Sequence, residues 1–409
     1  MDRLAGRDRS GDEDGDLAVE LPAEEFQGEC VSAGDPPLNG RERDMHKAGQ
    51  GNIRLLTVAA LVIAALLAGQ TAARAASAAR PAAVSCVPIK TPAQLQAMKN
   101  SLAASYCLAN DIDMRAVANF TPVGGTTAFT GNFFGSNHTI SNLTIKSAAP
   151  YIGLFGAVAD ATIQDVALVN VKVVSTSTGF VIGGGLVGAA SGSTGSTISN
   201  ISVSGAVNVP CTPHDCYVGG IAGAIGQHAT LTDSRSEVNV TTSGVWVGGA
   251  VGVMTDATAL VTRSSAIGNV SCPASSPQCS AGGLVGNIGT AKVTHSYATG
   301  NVTCGPNCDG GGLVGDSDGT ILQSFATGAV HAGEWVGGLI GWNNAGTVQR
   351  SFAAGSVTGS GGSEVGGLIG YNIDGTLSEL YAVGSVSGAV HGGLLGAFAG
   401  SPAVSNCYW

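Results

Sequence analysis

From Ile152 onward the apolar residues fall in short clusters closed by glycine, and the clusters recur. The phrase Gly-Gly-apolar-apolar-Gly stands at Gly184–Gly188, Gly219–Gly223, Gly248–Gly252, Gly282–Gly286, Gly311–Gly315, Gly337–Gly341, Gly366–Gly370 and Gly392–Gly396. A looser copy is Ile152–Gly156. Successive first glycines lie 35, 29, 34, 29, 26, 29 and 26 residues apart. Such steps are too long for a hairpin and too irregular for a coiled coil. They suit one solenoid rung of short strands, with length changes absorbed at a corner.

Two further columns keep the same register. Ser-aromatic-Ala stands at Ser296–Ala298, Ser324–Ala326 and Ser351–Ala353, and Tyr381-Ala382 and Cys407-Tyr408 continue it. The rings of Tyr297, Phe325, Phe352, Tyr381 and Tyr408 are 28, 27, 29 and 27 residues apart. With one rung per turn they stack about 4.8 Å apart, the strand spacing of a sheet. The third column, Gly-Thr-apolar, stands at Gly319, Gly346 and Gly375 and reads as a turn feeding a strand.

Helix is disfavoured. The chain carries 63 glycines, each costing about 1 kcal/mol against alanine inside a helix. Val, Ile and Thr fill the intervals and favour strands. The pattern predicts an all-β chain: a parallel β-helix solenoid of about nine rungs, each with two or three short strands. Residues 87–150 are read as its N-terminal cap and 151–409 as the repeat region, which shows no evident C-terminal cap. An uncapped last rung leaves open strand edges.

Charge sharpens the organisation. Residues 1–44 hold 13 acidic and 5 basic side chains. They are expected to be disordered, or to lie upstream of the true start. Met45 opens a basic stretch followed by an apolar run of 14 residues, Leu55–Ala68, and a small-x-small site at Ala76-Ser77-Ala78. That order reads 45–78 as a secretory signal peptide. The alternative is an uncleaved anchor, although the run is short beside the roughly 20 residues of a membrane span. Residues 79–86 are a short linker. Residues 79–409 hold 15 acidic and 10 basic side chains, a net of −5, which argues against a nucleic-acid surface.

Cysteine use agrees with export. Cys211–Cys216, Cys272–Cys279 and Cys304–Cys308 occupy one equivalent place, just before the Gly-Gly phrase. They read as local disulfides of a secreted or cell-surface protein. Cys86 and Cys107 flank the first structured segment and form a fourth candidate pair. Cys407 is left over. None of the three close pairs has C-x-x-C spacing and no histidine column accompanies them, so no metal site is expected, and no cofactor.

The phrase at Gly282–Gly286 and Gly311–Gly315 resembles the GLUG repeat of bacterial surface proteins. These include filamentous-haemagglutinin-type adhesins and regions accompanying immunoglobulin-A-cleaving metallopeptidases. Thr91–Leu95, Tyr106–Asp113 and Phe129–Leu143 resemble the family's opening segment, so the likeness covers about residues 87–409. It implies a right-handed parallel β-helix in an extracellular, often adhesive, setting. The chain has no H-E-x-x-H zinc signature.

Three chemical readings follow. Asp309, Asp316 and Asp318 are the candidate catalytic group, since two carboxylates are the minimum for glycoside hydrolysis. Asp316 and Asp318 would share a face on a strand. The alternative, preferred here, puts them in a polar turn. The binding reading rests on Trp342-Asn343 and Tyr371-Asn372, at one point of successive rungs, and on Trp246 and Trp335, which share a column before the Gly-Gly phrase. Aromatic rings beside amides offer stacking to sugars; the alternative is that they shield the corner. The favoured function is a non-catalytic adhesin-like module binding an extracellular glycan or a host or cell-surface protein. A polysaccharide-degrading enzyme and a purely structural stalk are the alternatives. Membrane contact is expected only through a retained N-terminal anchor.

Overall fold

The computed structural model describes residues 85–211, 216–273 and 278–409. The acidic start, the signal or anchor segment and most of the linker lie outside the described residues.

Each rung from Tyr151 onward feeds three parallel sheets in turn. The first sheet takes strands such as Trp335–Gly337, the second strands such as Ile340–Asn344, and the third the rest of the rung, as in Thr347–Ala353 and Val357–Gly359. The first and second sheets hold nine strands each, one per rung. The third holds 23, because turns divide it within a rung and because it continues into residues 87–150. The repeated glycines pair in register: Gly311 with Gly337, Gly337 with Gly366, Gly366 with Gly392. The chain is thus the all-β parallel solenoid that its periodicity predicts.

Strand character follows the local alternation. Arg235–Thr242 reads RSEVNVTT and turns Ser236, Val238, Val240 and Thr242 inward without a break. One apolar cluster runs from Ile89 to Cys407. It is thin where the motif columns meet. A Cβ built on Gly312 would come within 2.9 Å of the Ala326 Cβ across the core. The second glycine of the phrase and the alanine of Ser-aromatic-Ala are therefore opposite walls of one narrow interior, and neither has room to grow.

The serine of that motif has its own task. The residue before it turns into the left-handed region, as at Arg263, His295, Gln323 and Arg350, and the ladder is interrupted there. The buried Ser Oγ accepts the backbone N–H of the serine one rung earlier. The pairs Ser264–Ser296, Ser296–Ser324 and Ser324–Ser351 span 3.1, 3.2 and 3.2 Å. Each hydroxyl also donates to the carbonyl two residues before it. Cys407 sits in this column, in register with Leu380, and its Sγ lies 3.2 Å from Ser405 O. The left-over cysteine takes a serine's seat.

The aromatic residues beside the serines stack on the outer face of the third sheet. Ring centroids of Tyr297–Phe325, Phe325–Phe352 and Phe352–Tyr381 are 4.9, 4.8 and 4.8 Å apart, with planes within 4°. Each ring is half-buried.

All four expected disulfides are formed. Cys272 pairs in register with Cys304, and Cys279 with Cys308, so two of the bonds lie on successive rungs at one corner. In residues 87–150 the helix Pro92–Ala97 begins at Thr91, whose side chain accepts the Gln94 N–H. Leu95 and Met98 enter the common core. Phe129 and Phe133 pack on Phe155 at 5.0 and 5.4 Å.

Candidate functional site

The Gly-Gly phrase makes a turn so tight that the outer faces of the first and second sheets lean together. A Cβ on Gly315 would meet Ala281 N at 2.8 Å, the backbone of the first sheet one rung earlier. Two outward columns consequently face each other along an external seam. The first-sheet column runs Tyr217, Trp246, Ser280, Asp309, with Trp335 next and Glu364 after it. The second-sheet column runs Ala224, Val253, Asn287, Asp316, Trp342, Tyr371.

The seam changes chemistry along its length. Ile182, Ala224 and Val253 form a small apolar cluster of their own, covered by Tyr217 and Trp246. The rings of those two stack at 4.6 Å, and Phe180 meets Tyr217 edge-on at 4.9 Å. The middle of the seam is polar. Ser280 Oγ donates to Asp316 Oδ2 at 2.5 Å, the Asn287 side-chain amide N–H also donates to the Asp316 carboxylate, and the backbone N–H of Trp335 donates to Asp309. Below it the seam becomes aromatic again. The Trp335 ring lies 5.2 Å from Tyr371, with 15° between planes, and 5.3 Å from Trp342.

Trp246 and Trp335 therefore do share a column, with Ser280 and Asp309 between them. Trp335, Trp342 and Tyr371 form one half-buried cluster on the outside. Asn343 and Asn372 are placed differently from the expectation of amides beside exposed rings. Both are fully buried, and Asn343 Nδ2 donates to Asn372 Oδ1 at 2.7 Å inside the solenoid. The pleat explains this: if Trp342 points out, its neighbour points in. The preference for a turn at Asp316 is corrected as well. Asp316 lies on the strand Val314–Ser317 and is 8% exposed. The strand ends at Ser317 and the chain bends at Asp318, which is exposed. Asp316 is joined across the seam by Asp309, which is 1% exposed.

Burial is the main cause that pushes both carboxyls above the ordinary aspartate range. Asp316 and Glu334 push Asp309 further, against the Trp335 N–H. For Asp316 the Ser280 hydroxyl and the Asn287 amide oppose the rise, while Asp318 and Glu334 add to it. Sequence spacing did not bring Ser280 and Asn287 into the site. The signal that finds them is the register of the columns, since each stands one rung before its carboxylate.

Among the described residues no helix is long and apolar enough to cross a membrane. Residues 278–303 match the family model described as the GLUG motif. They make up one rung, from Cys279–Gly282 through Val285–Asn287 and Lys292–Thr294 into Val302–Cys304. Halomucin of Haloquadratum walsbyi is 36% identical over 168 residues, a match covering 37% of this chain and 2% of that protein. The chain thus spans a small fraction of this relative's length. A Bacteroides ovatus structure named as an immunoglobulin A1 protease superposes with a TM-score of 0.48 at 20% identity, covering 61% of this chain and 77% of that one. A second, named IgA1 Protease, gives 0.46 at 17% identity, covering 64% and 21%.

Proposed function

We propose that this chain is a non-catalytic, extracellular, adhesin-like solenoid that binds a glycan or a cell-surface protein through aromatic rings on its outer surface. The observation that carries this reading is where the rings stand. Among the described residues the buried aromatic side chains are Tyr106, Phe120, Phe129, Phe133 and Phe155, all toward the N-terminal end of the solenoid. Beyond Phe155 every described Phe, Tyr and Trp is half-buried or exposed. The narrow interior of the rungs takes Val, Ile, Leu and Ala, and the rings gather in rows outside. Rings in the third-sheet row cover one another's faces and present their edges. Trp335, Trp342 and Tyr371 form a broader patch, with the Glu364 carboxylate beside Trp335. Aromatic rings next to polar groups are what carbohydrate and protein recognition use. Four disulfides support an oxidising, extracellular setting.

One observation favours the enzymatic alternative: a carboxyl raised toward neutrality is what a general acid requires. Against it, Asp309 and Asp316 are buried between two sheets, away from a polymer laid on the surface. The experiment is binding to immobilised polysaccharides and to host cells, run beside an assay for new reducing ends or unsaturated products. The binding reading expects capture without turnover, weakened at least tenfold in Trp342→Ala and Tyr371→Ala. Turnover abolished by Asp316→Asn would overturn it. No capture by any glycan or cell would leave the structural stalk.

A further inference from the structure

Asp309 and Asp316 pose a problem that the binding reading does not use. They face each other in the seam, both more than nine-tenths buried. Asp309 Oδ1 and Asp316 Oδ1 are buried and have no hydrogen-bond partner. The other groups acting on the pair are Glu334, Asp318, Ser280, Asn287 and the Trp335 N–H, with no lysine or arginine among them. Unpaired oxygens and uncompensated negative charge are costly in such a place. A single shared proton satisfies one carboxyl and leaves the potential of Glu334 and Asp318 unanswered. A cation between the two Oδ1 atoms satisfies both at once.

The polar stretch is also confined. On the two rungs before it and after it, the same seam positions hold Trp246 with Val253 and Trp335 with Trp342. The adjacent rungs of Ser280 and Asn287, then Asp309 and Asp316, carry oxygen-bearing side chains on both walls; the other described rung that does so, Glu364 with Tyr371, sets a single carboxylate across from a phenol whose ring stacks on Trp335. The oxygens facing the gap are those of the two carboxylates and the Ser280 hydroxyl, with no thiolate or imidazole beside them, which selects a hard cation; Asn287 turns its amide N–H to Asp316 and its Oδ1 to the Gly289 N–H. We infer that the seam between Ser280, Asp309 and Asp316 binds a divalent cation of the calcium class. Calcium takes about six to eight oxygens, so water completes the shell from the side where Asp316 retains its slight exposure. The inference is independent of what the aromatic rings bind.

The neighbouring indoles supply a direct readout. Trp335 follows Asp309 on the first sheet, and Trp342 pairs in register with Asp316. Terbium placed between the carboxylates should give emission sensitised by tryptophan. In the full chain we expect saturable terbium emission that calcium displaces, together with a calcium-dependent rise in melting temperature. Asp309→Asn should weaken terbium binding at least tenfold and abolish the calcium-dependent rise. The exposed Asp318→Asn should change binding less than threefold. If Asp309→Asn does not fold, Ser280→Ala provides the second test and should weaken binding several-fold. Absence of sensitised emission, emission unchanged in Asp309→Asn, or a wild-type melting temperature indifferent to calcium would each overturn the inference.

Discussion

The hydroxyl of Ser324 accepts the backbone N–H of Ser296 at 3.2 Å and donates to the carbonyl of Leu322 at 2.9 Å. One small side chain closes the gap that the left-handed residue before it opens in the ladder. Removing it strands the buried Ser296 N–H and leaves the Leu322 carbonyl with the His295 N–H alone, at 3.0 Å. Ser324→Ala should cost about 1–3 kcal/mol, read from urea unfolding. Ser324→Cys should cost less, because Cys407 already fills the equivalent seat. Equal costs for the two substitutions would count against the ladder.

The glycines divide into those that space requires and those that it does not. A Cβ on Gly311 would stand 1.7 Å from Val314 O, whereas one on Gly362 meets nothing within 4 Å. Gly311→Ala should destabilise by more than about 3 kcal/mol or prevent folding. Gly362→Ala should stay within about 0.5 kcal/mol of the parent. Soluble expression and thermal unfolding of the two variants check the contrast.

The disulfides differ in reach. Cys86–Cys107 closes a separation of 21 residues, and Cys304–Cys308 one of 4. In the chain-entropy model these contribute about 3 and about 2 kcal/mol. Replacing both cysteines of the first pair by serine should therefore lower the melting temperature more than replacing both of the second. The reverse order would show that the corner bonds matter through native packing instead.

The seam carboxyls set a pH dependence. Their folded values rise to about 8 for Asp309 and about 7 for Asp316, from an ordinary 3.8. The folded state thus holds these protons more tightly than the unfolded chain. The resulting stabilisation is complete below the unfolded value and is lost as pH climbs from about 4 through the folded values. In chelator, the urea midpoint should fall over that window, and Asp316→Asn should flatten the fall. A midpoint that is level or rising from pH 4 to about 8 would contradict the seam geometry.

Much of the fold was legible because a solenoid writes its register into the sequence. The steps between Tyr297, Phe325, Phe352 and Tyr381 gave one ring per rung, and the corner position of the cysteine pairs gave the disulfides. The spacing assigned no task to the serine beside each ring. That role depends on a left-handed residue such as Gln323, and no composition rule marks it. The site was less legible. Asn343 and Asn372 adjoin their aromatic neighbours in sequence, yet a strand sends adjacent residues to opposite faces. Asp309 and Asp316 stand out in the sequence as a charged group, but their burial follows from two sheets closing around a glycine turn. Periodicity along the chain does not report that closeness.

The stacked rungs are tested most directly by a double-mutant cycle on Phe325 and Phe352, 27 residues apart in sequence and 4.8 Å apart between ring centroids. With leucine at each position and at both, unfolding free energies should show a coupling of about 0.5–1.5 kcal/mol. The pair Tyr297 and Tyr381, three rungs apart on the same face, should show none. Coupling absent at Phe325–Phe352, or equal in the two pairs, would contradict the winding on which the seam and the aromatic rows both depend.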